Sequence, residues 1–487
     1  MAQAEREQLR VLMFPWLAHG HITPFLELAR RLTSTSSAGD LDVVVHLVST
    51  PVNLAAVAHR VAADDRIRLV ELRLPELPGL PPALHTTRRL PPRLMPLLKR
   101  ACDLAAPRFG ALLDELRPDV LLYDFIQPWA PLEAAARGVP AVHLSTCSAA
   151  ATAFFVHCLG GEREPRAFPF QAVGLGSAEE EAKYTALFAV HEPDDDGAAA
   201  PLVPERDRLP LSLARSSEFV TVKTCADVER KYIDYLSKLI GKDIVPCGPL
   251  LVDSGDGGGG GGESDQPGRV MRWLDGQEPG SVLFVSFGSE YFMSTHQLTQ
   301  LARGLELSGE RFVWVVRFPE SPDDDGGDGT AAARELPRGF APARGLVVEG
   351  WAPQRRVLAH RACGAFLTHC GWSSALESLA AGVPMVALPL HIDQPLNGNL
   401  AAELGAAVRV PQRRFGGFTA EDVARTVRRA MARGEEEGDR VRGRARELRE
   451  VVSRADADGA QVGALLRRMA RLCGKGQSEA AKVAVAN

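Results

Sequence analysis

The sequence predicts an α/β protein made of two open, doubly wound, Rossmann-like domains, and three observations predict it. The chain has 487 residues, too many for one ordinary domain and enough for two of roughly 200 or more. Both halves repeat a short run rich in Val, Ile and Leu followed by a helical pattern, as buried parallel strands with crossover helices do. The chemically distinctive residues then fall just after such runs, where open parallel sheets bind their ligands.

In the first half, strands are expected over residues 9–14, 42–49, 67–74, 120–123 and 141–144. Helical patterns occupy 24–32 and 93–116, the second kinked at Pro107, which cannot donate to the helical ladder. Thr23 and Pro24 read as an N-cap and a first helical residue. From 160 to 210 the pattern dissolves into Gly, Pro and acidic clusters such as Glu192-Pro-Asp-Asp-Asp-Gly197, read as an exposed excursion. Regular structure returns at 218–222. The hexaglycine run 257–262 sits in a flexible stretch, 253–268. Its formal G-x-G-x-x-G match has no strand before it and no helix after it, so it is compositional.

In the second half, 282–286 is a buried strand followed by the turn Phe287-Gly-Ser289. Ser294-x-x-Gln297 is a capping box for a helix over 298–307. Strands are expected at 312–316 and 345–349, separated by an acidic, Gly-rich loop at 322–335. The second of these delivers Trp351 and Ala352, and a strand at 365–368 delivers His369-Cys-Gly-Trp-Ser-Ser374 to a helix that ends near Gly382. Thr419-x-x-Asp422 opens a helix through Ala432, an amphipathic helix spans 462–472, and the residues after Gly474 are frayed. The expected division is a domain at 1–248, a Gly-rich linker at 249–268, a second domain at 269–456 and a terminal segment at 457–487.

Net charge is −5, which excludes a nucleic-acid binder that works through a broad basic face. Eight cysteines without a CxxC pair suit reduced thiols rather than a disulfide framework or a zinc site, and Cys370 is expected to pack as a small apolar residue. The N-terminus mixes both charge signs ahead of a short apolar run, a first strand rather than a signal peptide. No apolar run is long enough for a bilayer, so a soluble, cytoplasmic monomer is expected, with no membrane insertion.

The stretch 351–394, WAPQRRVLAHRACGAFLTHCGWSSALESLAAGVPMVALPLHIDQ, closely resembles the signature box of plant secondary-product glycosyltransferases. Pro15-Trp-Leu-Ala-His-Gly-His21 and Ser286-Phe-Gly-Ser289 extend the resemblance over nearly the whole chain. These family 1 enzymes are UDP-sugar-dependent and have the GT-B fold, two Rossmann-like domains facing across a cleft. The resemblance therefore implies an N-terminal acceptor domain, a C-terminal donor domain and a terminal helix that crosses back to the first domain. It places the 160–210 excursion near the acceptor entrance.

Transfer from a UDP-sugar needs a base for the acceptor hydroxyl and charge stabilisation for the departing diphosphate. His21 follows the first strand, and a neutral imidazole with a reference pKa of roughly 6.5 accepts a proton at neutral pH. Asp124 ends the strand at 120–123, and a His–Asp dyad would fix the ring's tautomer. Both match the family's base and orienting acid. By residue type alone a loop His such as His21 is more often a surface or capping residue, Asp124 reads equally as a helix cap, and His19 is a competing base. For the donor, Trp351 offers a face to uracil and Ala352 its backbone, while Gln354 and Glu377 suit the ribose hydroxyls. His369, Gly371, Ser373, Ser374 and Ser289 suit the diphosphate at a helix N-terminus. Trp372, Asp393 and Gln394 are expected around the hexose, and the resemblance links the final Gln with UDP-glucose; singly, they read as core and helix caps. No Asp-x-Asp stands at a plausible strand end, so no metal or cofactor is expected beyond the UDP-glucose co-substrate, and the runs 194–196 and 323–325 read as solvated loops. Trp16, Phe125, Ile126 and Thr146 are candidates for the acceptor pocket, or else ordinary core.

The passages 286–293, 304–307 and 312–317 resemble the branch that extends sugars on flavonoid or terpenoid glycosides. The expected function is thus inverting O-glucosylation, on a sugar already present, with direct glucosylation of an aglycone as the alternative. A catalytically inactive nucleotide-sugar binder would not need His21 and Asp124 together. A dinucleotide oxidoreductase would need a Gly-rich fingerprint after a first strand, which neither half carries. One position departs from the family: Ser373 stands where Asn is usual, with a shorter reach and one polar group fewer. Ser373→Asn is expected to lower the donor KM; an unchanged or higher value in initial-rate kinetics removes the idea of a weakened contact.

Overall fold

A computed structural model describes residues 7–36, 41–61, 64–88, 90–159, 167–189, 202–252, 266–288, 291–318, 332–412, 417–457 and 459–475. The hexaglycine run, the acidic runs at 194–196 and 323–325, and Ser289 fall outside them. The chain divides into two compact units: Met1–Arg166 with Glu181–Val252 and Ala455–Asn487, and Ala167–Glu180 with Asp253–Arg454.

The first unit holds seven strands: β1 Glu7–Phe14, β2 Leu41–Ser49, β3 Ile67–Glu71, β4 Val120–Tyr123, β5 Ala141–Ser145, β6 Phe219–Val222 and β7 Asp243–Pro246. They pair in parallel in the order β3-β2-β1-β4-β5-β6-β7. Side chains alternate across the sheet, so β1 serves two cores. Leu9, Val11 and Met13 pack with Ile22, Phe25 and Ala29 and with Val462, Leu465 and Met469 of the helix Ala460–Leu472. Leu12 and Phe14 face Phe109, Leu113 and Trp129 on the other side. The second unit has β8 Val282–Ser286, β9 Arg311–Val316, β10 Gly345–Glu349, β11 Cys363–Thr368, β12 Met385–Ala387 and β13 Ala407–Arg409. These are again parallel, in the order β10-β9-β8-β11-β12-β13.

In each sheet the strand order reverses once, between β1 and β4 and between β8 and β11. That reversal opens a crevice at the carboxyl ends of the two strands. His21 and Asp124 follow β1 and β4; the Phe287-Gly288 turn and His369 follow β8 and β11. The sequence thus spends its distinctive residues at the two switch points.

Several elements differ from the sequence expectation. The first helix runs His19–Ser36, with Pro24 inside it, so Thr23 is not its N-cap and His21 lies in the first helical turn. Pro24 removes only the bond to the Gly20 carbonyl, and Gly20 is exposed to water. The expected kinked helix is two, Met95–Leu104 and Ala106–Leu116, with Pro107 in the first turn of the second. Helix Ala178–Ala189 lies within the expected irregular excursion and Glu205–Arg215 begins inside it, Gln266–Asp275 begins inside the expected linker, and β7 and the long helix Glu436–Ala457 were not anticipated. The capping boxes were legible: Ser294 accepts from Gln297 N–H while Gln297 reaches back, and Thr419 accepts from Asp422 N–H. All eight cysteines are free thiols, and no described helix is long and apolar enough to cross a membrane.

A buried carboxylate pins the turn after β5. Glu229, in the helix Ala226–Ile240, accepts from the N–H groups of Ala149 and Ala150, at 3.1 and 2.9 Å, at the start of the helix Ala149–Leu159. Burial raises its pKa from 4.5 to about 7, against the lowering effect of those bonds. The folded state therefore binds more protons than the unfolded one between those values, and this contribution to stability falls as pH rises through the window. Glu229→Gln is expected to gain on wild type between pH 5 and pH 8 by on the order of 3 kcal/mol. Denaturant melts at the two pH values measure it, and a difference between variant and wild type that does not move with pH overturns the assignment.

Candidate active site

The carboxyl ends of β1, β4 and β5 converge on one imidazole. His21 Nδ1 donates to Asp124 Oδ2 at 2.6 Å, and the Thr146 hydroxyl lies 3.0 Å from the same nitrogen. Asp124 has no exposed surface; it also accepts from Trp16 N–H at 3.1 Å and Phe125 N–H at 2.8 Å. Burial pushes its pKa up, but His21 and these bonds more than offset that and hold it below the usual carboxylate value. An ionised Asp124 keeps the ring's proton on Nδ1, which leaves Nε2 as the basic nitrogen.

Two of the four acceptor-pocket candidates reach this ring. Thr146 does so through its hydroxyl, and the Phe125 ring is tilted over it with centroids 5.8 Å apart. Trp16 and Ile126 are buried and belong to the core beside Phe14 and Phe109. His143 on β5 was not singled out from the sequence; a His inside an apolar run is the signal that could have found it. It is fully buried, edge-on to Tyr123, and burial lowers its pKa to about 4 against the pull of Asp124.

In the second unit Trp351, just past β10, keeps 38% of its surface exposed, while Ala352 is buried. Gln354 opens a short helix, Gln354–Leu358, and its Nε2 donates to Glu377 Oε2 at 2.8 Å and Ser374 Oγ at 3.1 Å. These three candidates, far apart in sequence, share one polar cluster. Glu377 and Ser373 sit one turn apart on the helix Trp372–Ala381, whose N-cap is Gly371. The first-turn N–H groups of a helix point along its axis and form an anion seat.

His369 is fitted between two glycines. A Cβ on Gly288 would lie 2.8 Å from His369 Nε2, and one on Gly371 would lie 2.7 Å from it. Burial, aided by the nearby His391, lowers the His369 pKa to about 4, so the ring is neutral near pH 7. Cys370 adopts φ +64°, unusual for a residue with a Cβ, and its N–H donates to Thr368 Oγ1 at 3.2 Å. Its thiol is buried and pushed up to about 12, which suits packing and not attack. Trp372 is buried. Asp393 Oδ2 accepts from Asn397 Nδ2 at 2.8 Å. Gln394 is buried and already occupied: its Oε1 accepts from the N–H groups of Leu390 and His391, at 2.9 and 3.1 Å, and its Nε2 lies 2.9 Å from His391 Nδ1. It holds a turn in which Ile392, a β-branched residue, sits at φ +54° with 43% of its surface exposed. His391 carried no sequence signal of its own beyond its closeness to that Gln.

Comparison with known proteins places the chain in a family. The profile of the UDP-glucoronosyl and UDP-glucosyl transferase family matches residues 264–435, and that of a glycosyltransferase N-terminal domain matches residues 7–172. A mogroside IIIx synthase of Siraitia grosvenorii is 38% identical over 449 residues, covering 90% of this chain and 92% of its own. A beta-D-glucosyl crocetin beta-1,6-glucosyltransferase of Gardenia jasminoides is 38% identical, with 89% and 92% covered. Among solved structures, a UDP-glucosyltransferase from Polygonum tinctorium capable of glucosylating indoxyl superposes with a TM-score of 0.72 at 26% identity, over 97% of this chain and all of its own.

The fit of His369 between glycines makes a stability prediction. Gly371 has φ −54°, which any residue adopts, so the cost of Gly371→Ala lies in the clash with the imidazole and is about 1–3 kcal/mol. Adding His369→Ala is expected to return most of it in a double-mutant cycle read by thermal melts; additive effects overturn the fit.

Proposed function

The chain belongs to the plant UDP-dependent glycosyltransferases and shares their GT-B fold, and from that premise we propose that it moves glucose from UDP-glucose to a hydroxyl on the sugar of a small-molecule glycoside, with His21 as general base. The observation that carries the proposal is the 2.6 Å bond from His21 Nδ1 to a fully buried Asp124 at the switch point of the first sheet. His21 Nε2 takes the acceptor's proton as its oxygen attacks the anomeric carbon, and Asp124 stabilises the imidazolium that forms. The glycosidic bond to UDP breaks in the same displacement, so an α-linked donor gives a β-linked product.

The donor residues serve the leaving group. Trp351 stacks on uracil with the Ala352 backbone at its edge, and Gln354 with Glu377 reads the ribose. The helix that starts at Trp372 receives the diphosphate with Ser373, Ser374 and the neutral His369 as hydrogen-bond donors. Ser289 belongs to the same set. Trp372, Asp393 and Gln394 border the hexose, with Gln394 acting through the turn it holds as much as by direct contact. Support for a glycoside acceptor comes from the relative in Gardenia jasminoides, whose name gives a glucosylated substrate. The chain acts as a monomer in the cytoplasm without a metal.

The deciding experiment offers UDP-glucose with a panel of flavonoid and terpenoid monoglucosides and their aglycones, read by mass spectrometry. Extension of monoglucosides is expected, with kcat reduced by about 10²–10⁴ in His21→Ala while the UDP-induced thermal shift persists. Products from aglycones alone overturn the acceptor class in favour of direct glucosylation. A His21→Ala enzyme at the wild-type rate overturns the base.

A further inference from the structure

The loop after Asp124 is held by a single helix. Ser212 Oγ donates to the Phe125 carbonyl at 2.9 Å, Arg208 to the Ile126 carbonyl, and Arg215 Nη1 to the Pro128 carbonyl at 2.7 Å. These donors are spaced i, i+4, i+7 on Glu205–Arg215, so one face of that helix grips three of four successive loop carbonyls. The loop's other side is tied down by Gln127, whose Nε2 donates to the Pro15 carbonyl at 3.1 Å.

The helix is itself anchored at both ends. Arg208 is 1% exposed and pairs with Asp103 through two nitrogens, at 3.1 and 2.7 Å, while Asp103 also accepts from Trp129 Nε1 at 3.1 Å. Lys99 pairs with Glu205 beside it. At the far end Lys242 Nζ donates to the carbonyls of Leu213 at 3.2 Å, Ala214 at 2.6 Å and Ser216. Tyr123, the residue before Asp124, donates its hydroxyl to the Ser212 carbonyl at 2.5 Å. A buried ion pair adds little net stability over an apolar replacement of the same shape, so what Arg208 and Asp103 provide here is geometry.

We propose that Arg208, Ser212 and Arg215 are positioning residues for the transfer reaction: they fix loop 125–128, and through it the Asp124 carboxylate and the Phe125 ring that flanks His21. The proposal rests on the reading of His21 as base. Loss of the grip lets Asp124 drift from Nδ1, and a misplacement near 1 Å at a reacting group lowers the rate by as much as about 10²-fold.

The test uses the full-length enzyme with UDP-glucose and a flavonoid monoglucoside. Ser212→Ala and Arg215→Ala are each expected to lower kcat about tenfold or more, with the UDP-glucose KM within about twofold of wild type. The acid limb of the pH–kcat/KM profile moves to lower pH as the imidazole loses carboxylate support, and Ser212→Thr, which keeps the hydroxyl, restores both rate and profile. A helix with a merely structural role lowers the melting temperature and leaves kcat and the profile of the folded enzyme unchanged; that result overturns the proposal while the base reading stands. His21→Ala at the wild-type rate is the separate outcome that removes the base, and the positioning role with it.

Discussion

A carboxylate with no access to water has to find its compensation in the fold, and Asp124 organises the first unit on that account. Ionised and unpaired in a low-dielectric interior it would be intolerable. It is tolerated because three donors reach it: the His21 ring, the Trp16 N–H and the Phe125 N–H. Those donors come from the segment after β1 and the segment after β4, the neighbours at which strand order reverses. One charge therefore sets the relative positions of two connections that lie a hundred residues apart in sequence. The same charge fixes the tautomer of His21. Fold and chemistry share a constraint here.

The donor half is built on different physics. Its polar cluster is a hydrogen-bonded set, Gln354 with Glu377 and Ser374, and its imidazole is neutral. On the proposed reading, binding an anion there relies on oriented dipoles: a helix N-terminus, hydroxyls and a ring N–H. Dipoles act only when aimed, and two non-glycine residues of this unit with positive φ stand beside the candidate residues. Cys370 and Ile392 both occupy the left-handed region, next to His369 and Asp393, and each is braced by a hydrogen bond from its own turn or from Gln394. Gly371 and Gly288 supply the remaining requirement, room for the ring.

What could be read from the sequence follows from how local each signal is. Strands buried on both faces announce themselves as apolar runs, and a capping box is complete within four residues, so β1, β4, β8, β11 and the caps at Ser294 and Thr419 were legible. The first helix was misplaced because Pro24 reads as a helix start, whereas an exposed Gly20 carbonyl lets the helix begin a turn earlier. The candidate site residues were read as types at strand ends; their partners were not. That Gln354 meets Glu377 or that Glu205–Arg215 grips loop 125–128 depends on tertiary approach, and no spacing in the sequence encodes it, whereas Gln394 is spent locally, on residues three and four positions back. Helical structure within the 160–210 excursion was hidden for a related reason: its buried Arg208 looks like a surface residue until its partner Asp103 is known.

Acid pH acts on several buried groups of the fold at once. His143 and His369 are both held neutral, with values near about 4 against 6.5 in the open chain. Asp124 is held below its ordinary value. In all three the unfolded chain binds more protons than the folded one as pH falls, His143 and His369 below about 6.5 and Asp124 below about 4. Each therefore withdraws stability in the same direction. On the proposed reading of His21 as base, turnover fails on the same side, because a protonated His21 cannot accept a proton and a protonated Asp124 cannot hold its tautomer. Glu229 works the other way: its pKa, raised to about 7 by burial, adds stability as pH falls through that value, and it offsets part of what His143 and His369 withdraw.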